Sequence, residues 1–215
     1  MGTIYNFRRS DFTTFWSDPQ KFVQKFLHPE HFNPNENMQF GTAQHAIREK
    51  QNGKHGEVYI EIPLGGHLIH GTMDYYDGRE IVDYKYSQKI TEYKQYVSQI
   101  GFYQWLAWKK DNVLVSGRLE FVEVAHNPFA DTEFTLTGVV KNYEFKKPNI
   151  ADLKKFEAKV LSSLKQMVYL IEKAKQPKKQ RPKSNYTKEQ LKEMSADLPD
   201  EMRTKKAVRY SVKSN

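Results

Sequence analysis

The chain has 215 residues, a formal net charge of +8, 38% hydrophobic and 28% charged residues, and no cysteine. That length and composition suit one α/β domain with a substantial core and an appendage, and exclude a chain disordered throughout. Without cysteine there are no disulfides, no thiol catalysis, no zinc–thiolate site and no cysteine-bound iron–sulfur cluster. The first predicted element is a helix over residues 10–27, capped by Ser10 or Asp11, with Phe12, Phe15, Trp16, Phe22 and Phe26 on its apolar side. Pro19 interrupts that pattern and can split the helix in two.

A polar, turn-rich stretch leads to a second helix over residues 38–51, ended by Asn52-Gly53. Three strands follow, over residues 57–63, 67–76 and 79–86, and then a long helix over residues 90–110. Strands over residues 113–125 and 133–145 complete the sheet. A last core helix, capped at Asn149, extends to residue 173, with Leu153, Phe156, Val160, Leu164, Met167 and Ile171 at helical spacing. The expected division is a domain over residues 1–172 and a basic C-terminal extension over residues 173–215, partly disordered and too polar to build a core. The basic balance suits a polyanionic partner approached along its phosphates. No long apolar run, signal-peptide core or phosphate-binding G-x-x-x-x-G-K-[ST] loop occurs, so the expectation is a cytoplasmic chain with no membrane and no ATP.

The most informative segment runs from Gly71 to Lys85 and folds back at Asp77-Gly78, a strong hairpin signal. With the simplest two-residue turn, Tyr76 faces Arg79, and Asp74, Asp83 and Lys85 project to one side of the sheet. Asp74 and Asp83 are then diagonal neighbours, about 7–8 Å apart at the backbone. Acids so placed repel unless a cation lies between them, and hard oxygen donors suit Mg²⁺ or Mn²⁺. The alternative is a solvated outer face. Against it, Ile81-Val82 and Val58-Tyr59-Ile60 are apolar at both parities, as in strands covered on both sides. Lys85, on the same strand face, can orient an attacking water, lower its pKa and stabilise developing charge.

The pattern Gly71-x-x-Asp74, turn, Ile81-Val82-Asp83-Tyr84-Lys85 resembles the core of the PD-(D/E)XK nuclease superfamily, in particular its RecB-like branch. That branch also carries an upstream G-x-x-x-H and a downstream Q-x-x-x-Y, matched here by Gly41 to His45 and by Gln99 to Tyr103. The segment from Ser10 to Phe22 resembles the helix with which many such nucleases begin. The resemblance implies a central mixed β-sheet flanked by helices, a restriction-endonuclease-like α/β core. It implies a divalent-metal-dependent deoxyribonuclease, an exonuclease acting in recombination, repair or phage DNA processing. Asp74, Asp83, His45 and the backbone carbonyl of Tyr84 would hold Mg²⁺ or Mn²⁺. Asp74, Asp83, Lys85, Gln99 and Tyr103 would be the catalytic set, with Gln99 and Tyr103 touching phosphate or steadying Lys85 from one helix face. Without the resemblance, those two residues read as a polar edge beside the core stripe of Ile100, Trp105 and Trp108. A structure-specific endonuclease and a non-catalytic nucleic-acid-binding module are the alternatives. The small size leaves room for a homo-oligomer or for a recombination or replication protein as partner.

Overall fold

The computed structural model describes residues 3–29, 34–89, 93–126 and 134–176. The chain falls into two units, Met1–Lys175 and Gln176–Asn215. Beyond Gln176 the expected basic extension lies outside the described residues.

The first unit opens with a three-residue strand, β1 (Asn6–Arg8), which sequence periodicity does not show, and helix α1 (Arg9–Ser17). The interruption at Pro19 is a true break. Asp18 ends α1 and accepts hydrogen bonds at 3.0 Å from the Gln20 and Lys21 amides, so it caps α2 (Pro19–Leu27). Proline at the first helical position loses no hydrogen bond there. Helix α3 (Glu36–Asn52) starts two residues earlier than expected, at an Asn35 side chain that accepts the Met38 amide. Strands β2 (Gly56–Leu64), β3 (His67–Tyr76) and β4 (Glu80–Ser87) follow. A short 3₁₀ turn (Tyr93–Tyr96) then leads into α4 (Val97–Asp111), so the expected long helix is shorter at its start, with residues 90–92 outside the described set. Asn112, at φ +57°, closes α4, and β5 (Ser116–His126), β6 (Phe134–Phe145) and α5 (Ile150–Lys175) complete the unit.

Among the described residues the sheet has six strands and is mixed. β2 runs antiparallel to β3 along nearly all of it, from Gly56 opposite Tyr75 to Leu64 opposite His67. A strand has only two edges, so β1 and β4 must share the other one. β1 takes its start, parallel, at Leu68 to His70, and β4 takes its end, antiparallel, at Tyr75 and Tyr76. Between them, Gly71 to Asp74 face no strand on that edge among the described residues. Beyond β4, β5 pairs parallel and β6 antiparallel.

The hairpin register corrects the sequence expectation. Tyr76 faces Ile81, not Arg79, and the loop holds four residues. The Asp77 carboxylate captures the amides of Arg79 and Glu80 at 2.8 Å each, which competes with the two-residue turn. Gly78, at φ +85°, supplies the left-handed step that this loop needs.

The core forms where α1, α2, α4 and α5 meet one face of the sheet, with Phe7, Phe12, Phe22, Ile69, Phe102, Trp105, Val160 and Met167 fully enclosed. Helix α3 contributes no buried residue. It lies on the opposite face: Asp83 touches Gln99 of α4, whereas the next residue, Tyr84, touches Arg48 and Asn52 of α3. Among the described residues no helix is long and apolar enough to cross a membrane.

Candidate active site

The gap in the sheet is where the sequence-predicted residues gather. Asp74 closes it: its Oδ2 accepts the Tyr84 amide at 2.8 Å, so a carboxylate stands where a strand carbonyl would otherwise be. The expected common side for Asp74, Asp83 and Lys85 therefore holds only in part. Asp83 and Lys85 meet on the α4 side, while Asp74 turns into the plane between β3 and β4. His45 of α3 approaches the same oxygen from the other face, with Nδ1 3.5 Å away.

Burial first, and then repulsion from Asp83, push the Asp74 carboxyl up to about 7, against the pull of Lys85 and of the Tyr84 amide. His45 is shifted downward, by burial and by the nearby Lys85 charge, with Asp83 opposing. At neutral pH its ring is neutral, so its nitrogen lone pair is open to a cation.

Asp83 is 1% exposed. Its Oδ1 accepts a short hydrogen bond from Gln99 Nε2. Lys85 Nζ lies 2.6 Å from Oδ2, yet off the line of a hydrogen bond, so that oxygen has an ion-pair partner but no aligned donor. A buried carboxylate is costly unless it is paired and fully hydrogen-bonded, and this one retains an unused acceptor position.

Gln99 and Tyr103 sit one turn apart on the α4 face turned to the sheet, with Gln99 Nε2 3.5 Å from the Tyr103 hydroxyl. Burial raises Tyr103 to about 12, against the nearby Arg9 charge, so its phenol stays protonated and can donate. Gly71 makes this approach feasible. A Cβ there would stand 3.0 Å from Tyr103 Cε1 and 3.1 Å from a Leu106 methyl, and its absence lets α4 settle on β3.

Arg48, Asn52, Arg118 and Glu120, to which the sequence patterns assign no role at the site, hold α3 over it. Arg48, one turn after His45, places Nη2 3.1 Å from Glu120 Oε1 on β5 and its guanidinium 5.1 Å from the Tyr84 ring centroid. Arg118 holds the other Glu120 oxygen at 2.8 Å, and Asn52 donates to the Tyr84 hydroxyl at 3.4 Å. His45, Arg48 and Asn52 make one helix stripe, and Glu120 is a lone acid between Leu119 and Phe121. Those were the available signals.

Cavities lie on both sides of the gap. One, of about 470 Å³, has His45, Tyr84 and Lys85 in its wall; the other, of about 400 Å³, has Arg8, Arg9, Gly71 and Tyr103. Cationic side chains thus border the acids on either side. Among the described residues no three His, Cys, Asp or Glu side chains stand at the spacing of an ion's ready-made cage. The groups able to serve a cation are Asp74, the under-used Asp83 oxygen, the neutral His45 and the Tyr84 carbonyl. Oxygen donors with one imidazole suit a hard divalent ion.

A phage-related exonuclease from Haemophilus somnus 129PT is similar in structure: 17% identity, 74% of this chain and 82% of that chain covered, and a TM-score of 0.54. A candidate exonuclease from Eubacterium rectale is 16% identical over 78% of this chain and 66% of that one, with a TM-score of 0.40. No protein-family model matches the chain, and no curated protein matches it. At such identities likeness speaks for architecture alone, and the architecture here is a mixed sheet flanked by helices, an α/β restriction-endonuclease-like core.

Proposed function

We propose that this protein is a divalent-metal-dependent deoxyribonuclease, an exonuclease of the RecB-like type acting in recombination, repair or phage DNA processing. One observation carries the reading: two buried carboxylates, Asp74 and Asp83, converge at a gap in the sheet with one ammonium, Lys85, set against both. Burial and mutual repulsion raise Asp74, and Asp83 keeps a buried oxygen without an aligned donor. The shared fold with a phage-related exonuclease supports it.

Asp74, Asp83, His45 and the Tyr84 carbonyl would hold Mg²⁺ or Mn²⁺. Bound there, such an ion supplies an activated water and charge stabilisation at the phosphate. The side chains supply the rest. Lys85, anchored against Asp83, orients the water and stabilises charge developing on a non-bridging phosphate oxygen. Gln99 holds Asp83 through Oδ1 and so leaves the buried Oδ2 facing Lys85. Tyr103, protonated at working pH, donates to phosphate. The arginines and lysines bordering the two cavities draw the DNA backbone toward the acids.

The test uses end-labelled linear DNA and closed circular DNA with Mg²⁺, Mn²⁺ or excess EDTA. Loss of linear DNA in either metal, with the circle intact, is the expected result. Robust cleavage in EDTA overturns the metal reading. A cut circle assigns the second reading, a structure-specific endonuclease on the same fold. Binding without cleavage in any metal assigns a non-catalytic module.

A further inference from the structure

The sheet register continues the rows of Asp83 and Lys85 onto β5 and β6, through side chains with no part in the proposed catalysis. Lys85 on β4 is level with Phe121 on β5, and Phe121 with Lys141 on β6. The adjacent row runs Asp83, Leu119, Tyr143. Partners in register share a face, so all six lie on the α4 side of the sheet. Lys85 and Lys141 are two strand spacings apart, about 10 Å.

The 3₁₀ turn before α4 adds two rings above these rows. Tyr96 lies 5.4 Å below the Lys85 ammonium and 5.5 Å from the Phe121 ring. Tyr93 lies 4.5 Å from Tyr143, with the planes only 31° apart, and is 38% exposed. Lys141 Nζ sits 5.0 Å from the Tyr143 centroid and has no carboxylate partner among the described residues. Tyr93, Tyr96, Tyr143 and Phe145 stand outside the main hydrophobic core. The result is an open two-ring stack whose Tyr143 lies in the same row as Asp83, two strands away, with Lys141 and Lys85 in the neighbouring row.

We propose that Tyr93 and Tyr143, with Lys141, form a base-stacking platform for an unpaired DNA strand continuous with the active site. A nucleobase extends the stack on the outer face of Tyr93, as rings tolerate any base and need no sequence-specific hydrogen bonds. Lys141 and Lys85 meet phosphates on either side of that base. Charge complementarity favours this occupant over an apolar peptide, since Lys141 at the platform's outer end stands over the Tyr143 ring instead of against a carboxylate among the described residues, while Lys85 at the inner end is held against Asp83. The platform rests on the nuclease reading only for the direction in which the strand continues, toward Asp83 and Lys85.

The test is binding in EDTA, measured by fluorescence anisotropy with a labelled oligothymidylate and an abasic strand of equal length. The native protein is expected to prefer the base-bearing strand by roughly five- to a hundredfold, the range of one base–ring stack. Tyr93→Ala should erase most of that preference, and Tyr93→Phe and Tyr143→Phe should keep it. Lys141→Ala should weaken both strands alike and reduce the salt slope by roughly 0.7, one phosphate on a single strand. Equal affinity of the native protein for both strands, or an unchanged ratio in Tyr93→Ala, overturns the platform. The two readings fail separately. Base-dependent binding without metal-dependent cleavage supports the platform alone, and cleavage without base-dependent binding overturns it alone.

Discussion

The Asp74 carboxylate accepts the backbone amide of Tyr84 at 2.8 Å, across the point where β3 and β4 part. This bond makes a side chain of one strand a structural member of the next. It brings Asp74 close to Asp83 without placing the two on a common solvated face. The repulsion that results is tolerable only if a proton or a cation relieves it, and the pH dependence of the protein should show which one is present.

Asp74 stands at about 7 in the folded protein against an ordinary value of 3.8, so between those values the folded state holds more protons than the unfolded one. Through this group, stability of the metal-free protein falls as pH rises from about 4 to about 7. Urea unfolding across that window should show a shallower fall for Asp74→Asn than for the native chain. Calorimetry should show Mn²⁺ binding that tightens with pH and releases a proton below pH 7. Identical pH slopes in native protein and variant would remove Asp74 from the account.

Asp83→Asn and Lys85→Ala should each lower turnover on linear DNA by about 10²-fold or more, the scale of a lost electrostatic contact to a transition state. Far-ultraviolet circular dichroism should stay native. His45→Ala should behave differently, losing most at limiting Mn²⁺ and recovering in excess, because it removes one donor among several. A deficit equal at all Mn²⁺ concentrations would assign His45 some other role.

Glu120 is 8% exposed and joins Arg48 on α3 to Arg118 on its own strand. Because α3 buries no residue of its own, this pair substitutes for a hydrophobic contact in locating His45. Glu120→Gln should cost about 1–3 kcal/mol and raise amide exchange through residues 36–52. It should also raise the Mn²⁺ concentration for half-maximal activity more than it lowers the plateau. A lowered plateau with unchanged metal dependence would mean that the pair serves stability only.

Gly71→Ala should force Tyr103 and Leu106 away from β3, since the new methyl would meet them at 3.0 and 3.1 Å. The expected cost is about 1–3 kcal/mol, seen as a lower Tm, with turnover falling further because Tyr103 leaves the acids. Native Tm and turnover together would show that α4 has room to move.

Much of this site is legible in the residues themselves. Alternation and turn chemistry place Asp74, Asp83 and Lys85 on neighbouring strands, and a four-residue interval puts Gln99 and Tyr103 on one helix face. Such rules are local: they depend on spacing along a few residues, and local spacing survives folding. The break at Pro19 and the bounds of most strands follow for the same reason. Tertiary structure alone decided the rest. β1 is three residues long and exists only because β3 offers it an edge, and the gap at Gly71 to Asp74 exists only because β1 and β4 share that edge. The register of the hairpin turned on a contest between the Asp77 carboxylate and backbone carbonyls for two amides, which no residue pattern settles. Arg48 finds Glu120 across 72 residues of chain, and Lys85, Phe121 and Lys141 come level across three strands. Contacts of that kind carry no periodic signature, because the partners are chosen by packing after the strands have aligned.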